Sequence, residues 1–134
     1  MDRALMAVLE KITPEEQAIL NGCSQVSREL YTDRRDFVID SDKMLEKGKL
    51  MDIRTHTRFV HFPKHKHNYI EIIYMCSGKT EHIINGQDRV TLCQGELLFL
   101  NQNCYHEILP AKKEDIAVNF IVLPQFFDEA FKVP

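Results

Sequence analysis

The stretch His65-Lys66-His67-Asn68-Tyr69-Ile70-Glu71-Ile72-Ile73-Tyr74-Met75-Cys76-Ser77-Gly78 sets two histidines one residue apart, then a carboxylate, then a β-branched and aromatic run. On an extended backbone successive side chains turn to opposite faces, so residues of one parity line one side. If a strand runs unbroken from 65 to 75, His65, His67, Tyr69, Glu71, Ile73 and Met75 share a face. Two imidazoles and a carboxylate on one wall are three donors for a divalent transition metal. His106, further along, can close the set from a neighbouring strand. Zinc, nickel, manganese and iron all accept such donors, and the residue types do not choose among them. The same side chains also make a metal-free polar wall able to hydrogen-bond a ligand, and both readings stay open here. Tyr69 either joins that wall or packs as core.

Working outward, the region 51–123 has the texture of many short strands. Met51, Ile53, Thr55, Thr57 and Phe59 alternate with Asp52, Arg54, His56 and Arg58, a period of two. Residues 79–84 and 87–93 flank Asn85-Gly86, a strong hairpin signal because both turn positions need positive φ. Gly95 opens another strand, Glu96 to Leu100, and 115–123 is long enough for a buried one. Short strands separated by turn residues indicate a sandwich or closed barrel. His56, His61 and His82 fall outside the histidine–glutamate spacing and are expected at the surface or on the hairpin. Lys64 and Lys66 read as a solvated rim, and Tyr105 as a residue of the barrel mouth. Asn119 faces either inward, as a hydrogen-bonding group, or out.

Residues 1–50 read as helical and are expected to pack on the barrel. Leu5, Val8, Leu9 and Ile12 fall on one helix face. Thr13-Pro14-Glu15-Glu16 is a helix start with a capping box from Thr13 to Glu16, and Asn21-Gly22 is a stop. Residues 42–48 suggest one more short helix. Residues 124–134 read as the start of a linker helix, with Phe126, Phe127 and Phe131 as an apolar stripe for core or interface.

Composition limits the function. The 134 residues are 44% hydrophobic and 28% charged, a globular balance sized for one domain. The net charge of −3, with no basic stripe, argues against this piece gripping nucleic acid on its own. Cys23, Cys76, Cys93 and Cys104 lack the short spacing of a zinc or redox motif. No signal-peptide core or membrane-length apolar run is present. A cytoplasmic protein with no membrane contact is expected, its cysteines mostly packed as small hydrophobes.

The motif His65-x-His67-x3-Glu71-x6-Gly78 resembles the first cupin motif in residue type and spacing, apart from its leading glycine. Gly95 and His106 stand at the glycine and histidine positions of the second motif. There Asn101 and Asn103 replace the usual proline and glycine, and Pro110 replaces the usual asparagine. Asparagine tolerates left-handed backbone, so the turn is expected to survive. The resemblance covers about 65–123 and implies a mainly β, cupin-like jelly-roll β-barrel with N-terminal helices and a short C-terminal helix. The segments His65–Tyr74, Gly95–Asn101 and Asn119–Asp128 are further similar to amino-terminal domains of AraC-type transcription regulators.

That family resemblance implies a sensor rather than an enzyme. A small-molecule effector, a sugar or another polar metabolite, would meet His65, His67, Tyr69, Glu71 and His106 inside the barrel. The module would form a homodimer. Promoter DNA would be bound only through a C-terminal helix-turn-helix domain that this chain does not contain. The competing expectation is a stand-alone metal-dependent cupin enzyme, a dioxygenase or isomerase, with an open metal position.

Overall fold

The computed structural model describes residues 2–130. In chain order the described strands are β1 (Val38–Ile39), β2 (Met51–Thr55), β3 (Phe62–His67), β4 (Ile70–Ser77), β5 (Lys79–Ile84), β6 (Asp88–Cys93), β7 (Leu97–Leu100), β8 (His106–Ile108) and β9 (Ile116–Val122). They form a five-stranded sheet, β1-β3-β8-β5-β6, and a four-stranded sheet, β2-β9-β4-β7. Every pairing is antiparallel except β1 with β3. The protein is therefore mainly β, a jelly-roll barrel of two facing sheets.

The 65–75 segment is two strands rather than the single one expected. Asn68 and Tyr69 break the run, so β3 enters the five-stranded sheet and β4 the four-stranded one. The Asn68 side chain fixes the break: its Oδ1 accepts from Ser41 N at 2.8 Å and its Nδ2 donates to Asp40 at 3.3 Å. A second irregularity falls in β3 between Phe62 and His65, at Pro63, which has no N–H to give a ladder. This extra residue turns His65 and His67 to the same side as Phe62. The inner faces of the two sheets oppose each other, so histidines from β3 and Glu71 from β4 still meet.

The Asn85-Gly86 hairpin joins β5 to β6 with φ of 51° and 73° at its two turn residues. The weakened second motif holds its turn by another route than left-handed asparagines: Asn101 Oδ1 accepts from Asn103 N and Cys104 N at 2.9 and 3.2 Å. Tyr105 packs beside the hairpin turn, its hydroxyl donating to the Asn85 carbonyl.

The N-terminal helices are α1 (Arg3–Glu10), α2 (Pro14–Leu20) and α3 (Ser41–Met44); α4 (Gln125–Ala130) follows β9. The helical reading of the first fifty residues omitted β1. In α1 the packed residues are Met6 and Leu9, against Cys76, Ile116 and Val118, while Leu5 and Val8 are exposed. The capping box of α2 forms as expected. Its Glu16 also descends into the protein, where it accepts from Arg58 Nε at 2.8 Å and Arg58 Nη2 at 3.1 Å. This ion pair is buried on both sides and ties α2 to the chain just after β2. Glu15 accepts from Ser27 N, from Thr57 Oγ1 and from the Tyr31 hydroxyl, which clamps the 26–31 segment across the barrel opening.

Among the cysteines only Cys76 is buried; Cys23 and Cys93 are exposed, against the expectation that most are packed. Phe126 and Phe127 are half-buried on α4, and Phe131 lies outside the described residues. Among those described, no helix is long and apolar enough to cross a membrane.

Candidate ligand cavity and metal centre

A cavity of about 690 Å³ opens between the inner barrel faces and the N-terminal segment. That is within the usual range for small-molecule sites, about 300–1,000 Å³. Its walls include Arg54, His56, His65, Tyr69, Glu71 and Asn119. Residues of both faces of β2 border the cavity, Ile53 and Thr55 on one and the exposed Arg54 on the other; Arg54 is in register with Asn119, and Asn119 with the buried Ile73. Asn119 thus takes the inward of its two expected orientations.

His56 and His65 of this wall belong to a group of five buried histidines, each no more than 6% exposed, whose other members, His67, His82 and His106, do not line the cavity. His65 and His106 are cross-strand partners whose ring centroids lie 4.3 Å apart. The His106 ring also lies 5.9 Å from that of His67 and 6.0 Å from that of His82. One ligand atom from each of His65, Glu71 and His106 can be chosen so that all lie within 4.8 Å of one another. His67 Nε2 is 3.1 Å from Glu71 Oε2, yet Nε2 remains without a hydrogen-bond partner.

Local backbone fixes the tautomers of two of these rings. His65 Nδ1 donates to the Pro63 carbonyl and His67 Nδ1 to the Tyr69 carbonyl, both at 2.8 Å. A carbonyl can only accept, so each neutral ring carries its proton on Nδ1 and keeps the Nε2 lone pair. This is the orienting bond that metal-binding histidines commonly make. Tyr69 stacks on His67 with centroids 4.9 Å apart.

Burial sets the charge state. It lowers His65 to about 4, partly offset by the Pro63 bond, with His67 and His82 lowering it further. Burial likewise takes His82 to about 4 and, helped by His82 and His65, His56 to about 3. His67 and His106 are lowered by burial as well. The Glu71 carboxyl is raised by burial to about 7. Near neutral pH the interior therefore presents uncharged imidazoles, the form that binds metal.

Among the described residues, the buried side-chain polar atoms without a hydrogen bond are His56 Nε2, His67 Nε2, His82 Nδ1, both nitrogens of His106 and Asn119 Oδ1. All belong to the barrel interior. Buried polar groups are normally paired, so an unsatisfied set in one place indicates a missing partner. The donor types fit a divalent metal as well as a polar ligand.

His56 and His82 correct the sequence reading, which placed them at the surface or on the hairpin. His82 does lie on hairpin strand β5, but it shares the inward parity of Thr80, to which its Nε2 is bonded at 2.8 Å. His56, just past β2, is buried although Arg54, of the same parity, is exposed. His61 is exposed, as expected, and bonds Glu107 at 2.7 Å. Lys64 lies over the Tyr105 ring, away from the histidines.

The family described as the AraC-like ligand binding domain matches residues 53–131. The chain belongs to that family. Solved structures with the same fold include the DMSP lyase DddQ from Ruegeria pomeroyi DSS-3, at 18% identity and TM-score 0.46, covering 55% of this chain and 38% of that one. A cupin with a double-stranded β-helix fold from Methanocaldococcus jannaschii matches at 14% identity and TM-score 0.46, over 60% of this chain and 74% of that one. A predicted oxalate decarboxylase from Thermotoga maritima matches at 23% identity and TM-score 0.45, over 56% and 66%. These likenesses concern the cupin fold alone. No curated protein matches the chain.

Proposed function

We propose that this chain is the effector-sensing module of an AraC-type transcription regulator. A small polar metabolite enters the cavity and meets His65, Tyr69 and Glu71 on its wall, with His67 packed against Glu71 and His106 against His65. A divalent metal, zinc, nickel, manganese or iron, would be held by His65, His67, Glu71 and His106. It would supply a fixed positive charge that attracts ligand oxygen. The observation that carries the proposal is the group of unpaired buried polar atoms in the barrel, beside a cavity of ligand size.

Effector binding shifts the regulator between two states by its differential affinity for them. The module works in the cytoplasm as a homodimer and reaches promoter DNA through a helix-turn-helix domain of the parent protein. The test uses the full-length gene product and the promoter fragment upstream of its gene. It should bind that DNA, with an affinity that changes on adding the host's small-metabolite pool. His67→Ala with Glu71→Ala should keep the DNA affinity and lose the response. A parent protein that ignores its promoter but consumes oxygen or isomerises a substrate with stoichiometric metal would favour the second reading, a metal-dependent cupin enzyme. That reading is supported by His65 and Glu71, which form one donor group with His106 and themselves line the cavity.

A further inference from the structure

Two cations line the cavity, Lys43 and Arg54. Lys43 is spoken for, with Asp33 at 3.0 Å. Arg54 has no carboxylate partner among the described residues. Its Nε and Nη2 both donate to the Met44 carbonyl, at 3.1 and 2.9 Å. A carbonyl holds the guanidinium plane without cancelling its charge, and Nη1 is left over. The nearby acids are otherwise engaged. Asp52 Oδ1 accepts from Ile53 N, and Glu15 accepts from Ser27, Thr57 and Tyr31. Arg54 lines the cavity together with Tyr31 and Tyr69 and is itself exposed.

Next to this cation in register is Asn119, whose buried Oδ1 has no partner, and two residues further on, just past β2, is His56, with an unpartnered Nε2. A fixed cation beside unpaired hydrogen-bonding atoms matches a carboxylate with hydroxyls close to it. Resting on the sensing proposal above, we infer that the effector is a small polyhydroxy carboxylate, such as a sugar acid, rather than a neutral sugar. Its carboxylate pairs with Arg54, a hydroxyl donates to Asn119, and its remaining oxygens reach towards His65 and Glu71. Lysine would be a poor substitute at this position, because only a planar guanidinium can bridge the Met44 carbonyl and still offer further donors to a carboxylate.

The test is calorimetry on the whole chain with three probes: glucuronate, its methyl ester and glucose. Esterification removes the charge and leaves most of the molecule in place. Glucuronate should bind at least about tenfold more tightly than the ester or glucose, the usual scale for a charged hydrogen bond. Arg54→Gln should erase that preference, and Arg54→Lys should keep part of it; a melting curve on each variant checks folding. Equal binding of glucose and glucuronate, or a preference that survives Arg54→Gln, overturns the anionic class while leaving the sensing proposal standing. Binding of none of the three probes also overturns it, since the promoter assay judges the sensing proposal separately.

Discussion

His65 and His106 face each other as cross-strand partners of β3 and β8, their ring centroids 4.3 Å apart and both nitrogens of His106 unpaired. Nothing in the packing of the chain alone calls for an imidazole at position 106. A buried polar group without a partner costs about 1–3 kcal/mol, so this ring is a stability cost kept for another purpose. Replacing it by an apolar residue of similar size, His106→Leu, should raise the stability of chelator-treated protein by about 1 kcal/mol. The same variant should lose the stabilisation that added nickel or zinc gives the wild type. Urea unfolding with and without metal checks both halves.

Acid should destabilise the metal-free protein well before its exposed carboxylates titrate. His56, His65 and His82 have folded values of about 3, 4 and 4, against 6.5 in the unfolded chain, and His67 and His106 shift the same way. Between those limits the unfolded state binds more protons, so stability falls as pH falls. Glu71 acts oppositely: raised to about 7, it contributes stability that is lost as pH rises through that value. Five imidazoles outweigh one carboxyl. Melting temperature should therefore drop steadily from pH 7 to pH 4, a trend that circular dichroism melts can follow. A flat profile would mean that the imidazoles are not buried uncharged.

The Glu16–Arg58 pair makes the N-terminal segment part of the barrel's stability. Arg58 also donates to the carbonyls of Lys113 and Glu10, at 2.6 and 3.1 Å. Burial alone would raise Glu16, but bonds from Arg58 and from Thr13 N–H outweigh it and hold its pKa below the usual value. Arg58→Met strands a buried carboxylate and should cost about 3–5 kcal/mol in urea unfolding. Adding Glu16→Gln should recover part of that loss.

Two glycines with similar φ should respond differently to alanine. A Cβ added at Gly86 (φ 73°) would make only ordinary contact, with the Tyr105 hydroxyl at 3.5 Å. Gly78 (φ 69°) would bring a Cβ to 2.9 Å from the Asp115 backbone, as well as against its side chain. Gly86→Ala should cost about 1 kcal/mol, from backbone strain alone. Gly78→Ala should cost clearly more, and Gly86→Val should exceed Gly86→Ala because a β-branched residue resists positive φ. Parallel thermal melts rank the three.

Much of this was readable from the chain. The hairpin at Asn85-Gly86 and the capping box at Thr13 are local patterns, and the structure forms both; of the histidine–glutamate motif, His65 and Glu71 fall in one donor group with His106, but from two strands rather than one. What escaped depends on contacts between distant segments. The break at Asn68 is held by Ser41 and Asp40, about thirty residues away in sequence. Likewise, Arg58 finds Glu16 across 42 residues. His56 and His82 were misplaced because period-two alternation separates two faces without saying which is inside. Next to β2 the inward residue is a histidine, His56. A polar lining is expected of a cavity and not of a packed core, so the error fell where the sheet serves a ligand.

The central claim is that side chains from β3, β4 and β8 converge on one interior point able to hold a ligand centre. Cobalt(II) titration of chelator-treated protein, followed by visible absorption, tests it most directly. The account predicts one equivalent bound, with d–d bands that vanish in His106→Ala and in His67→Ala with Glu71→Ala while the circular dichroism stays unchanged. No uptake, or the same bands in those variants, would contradict it.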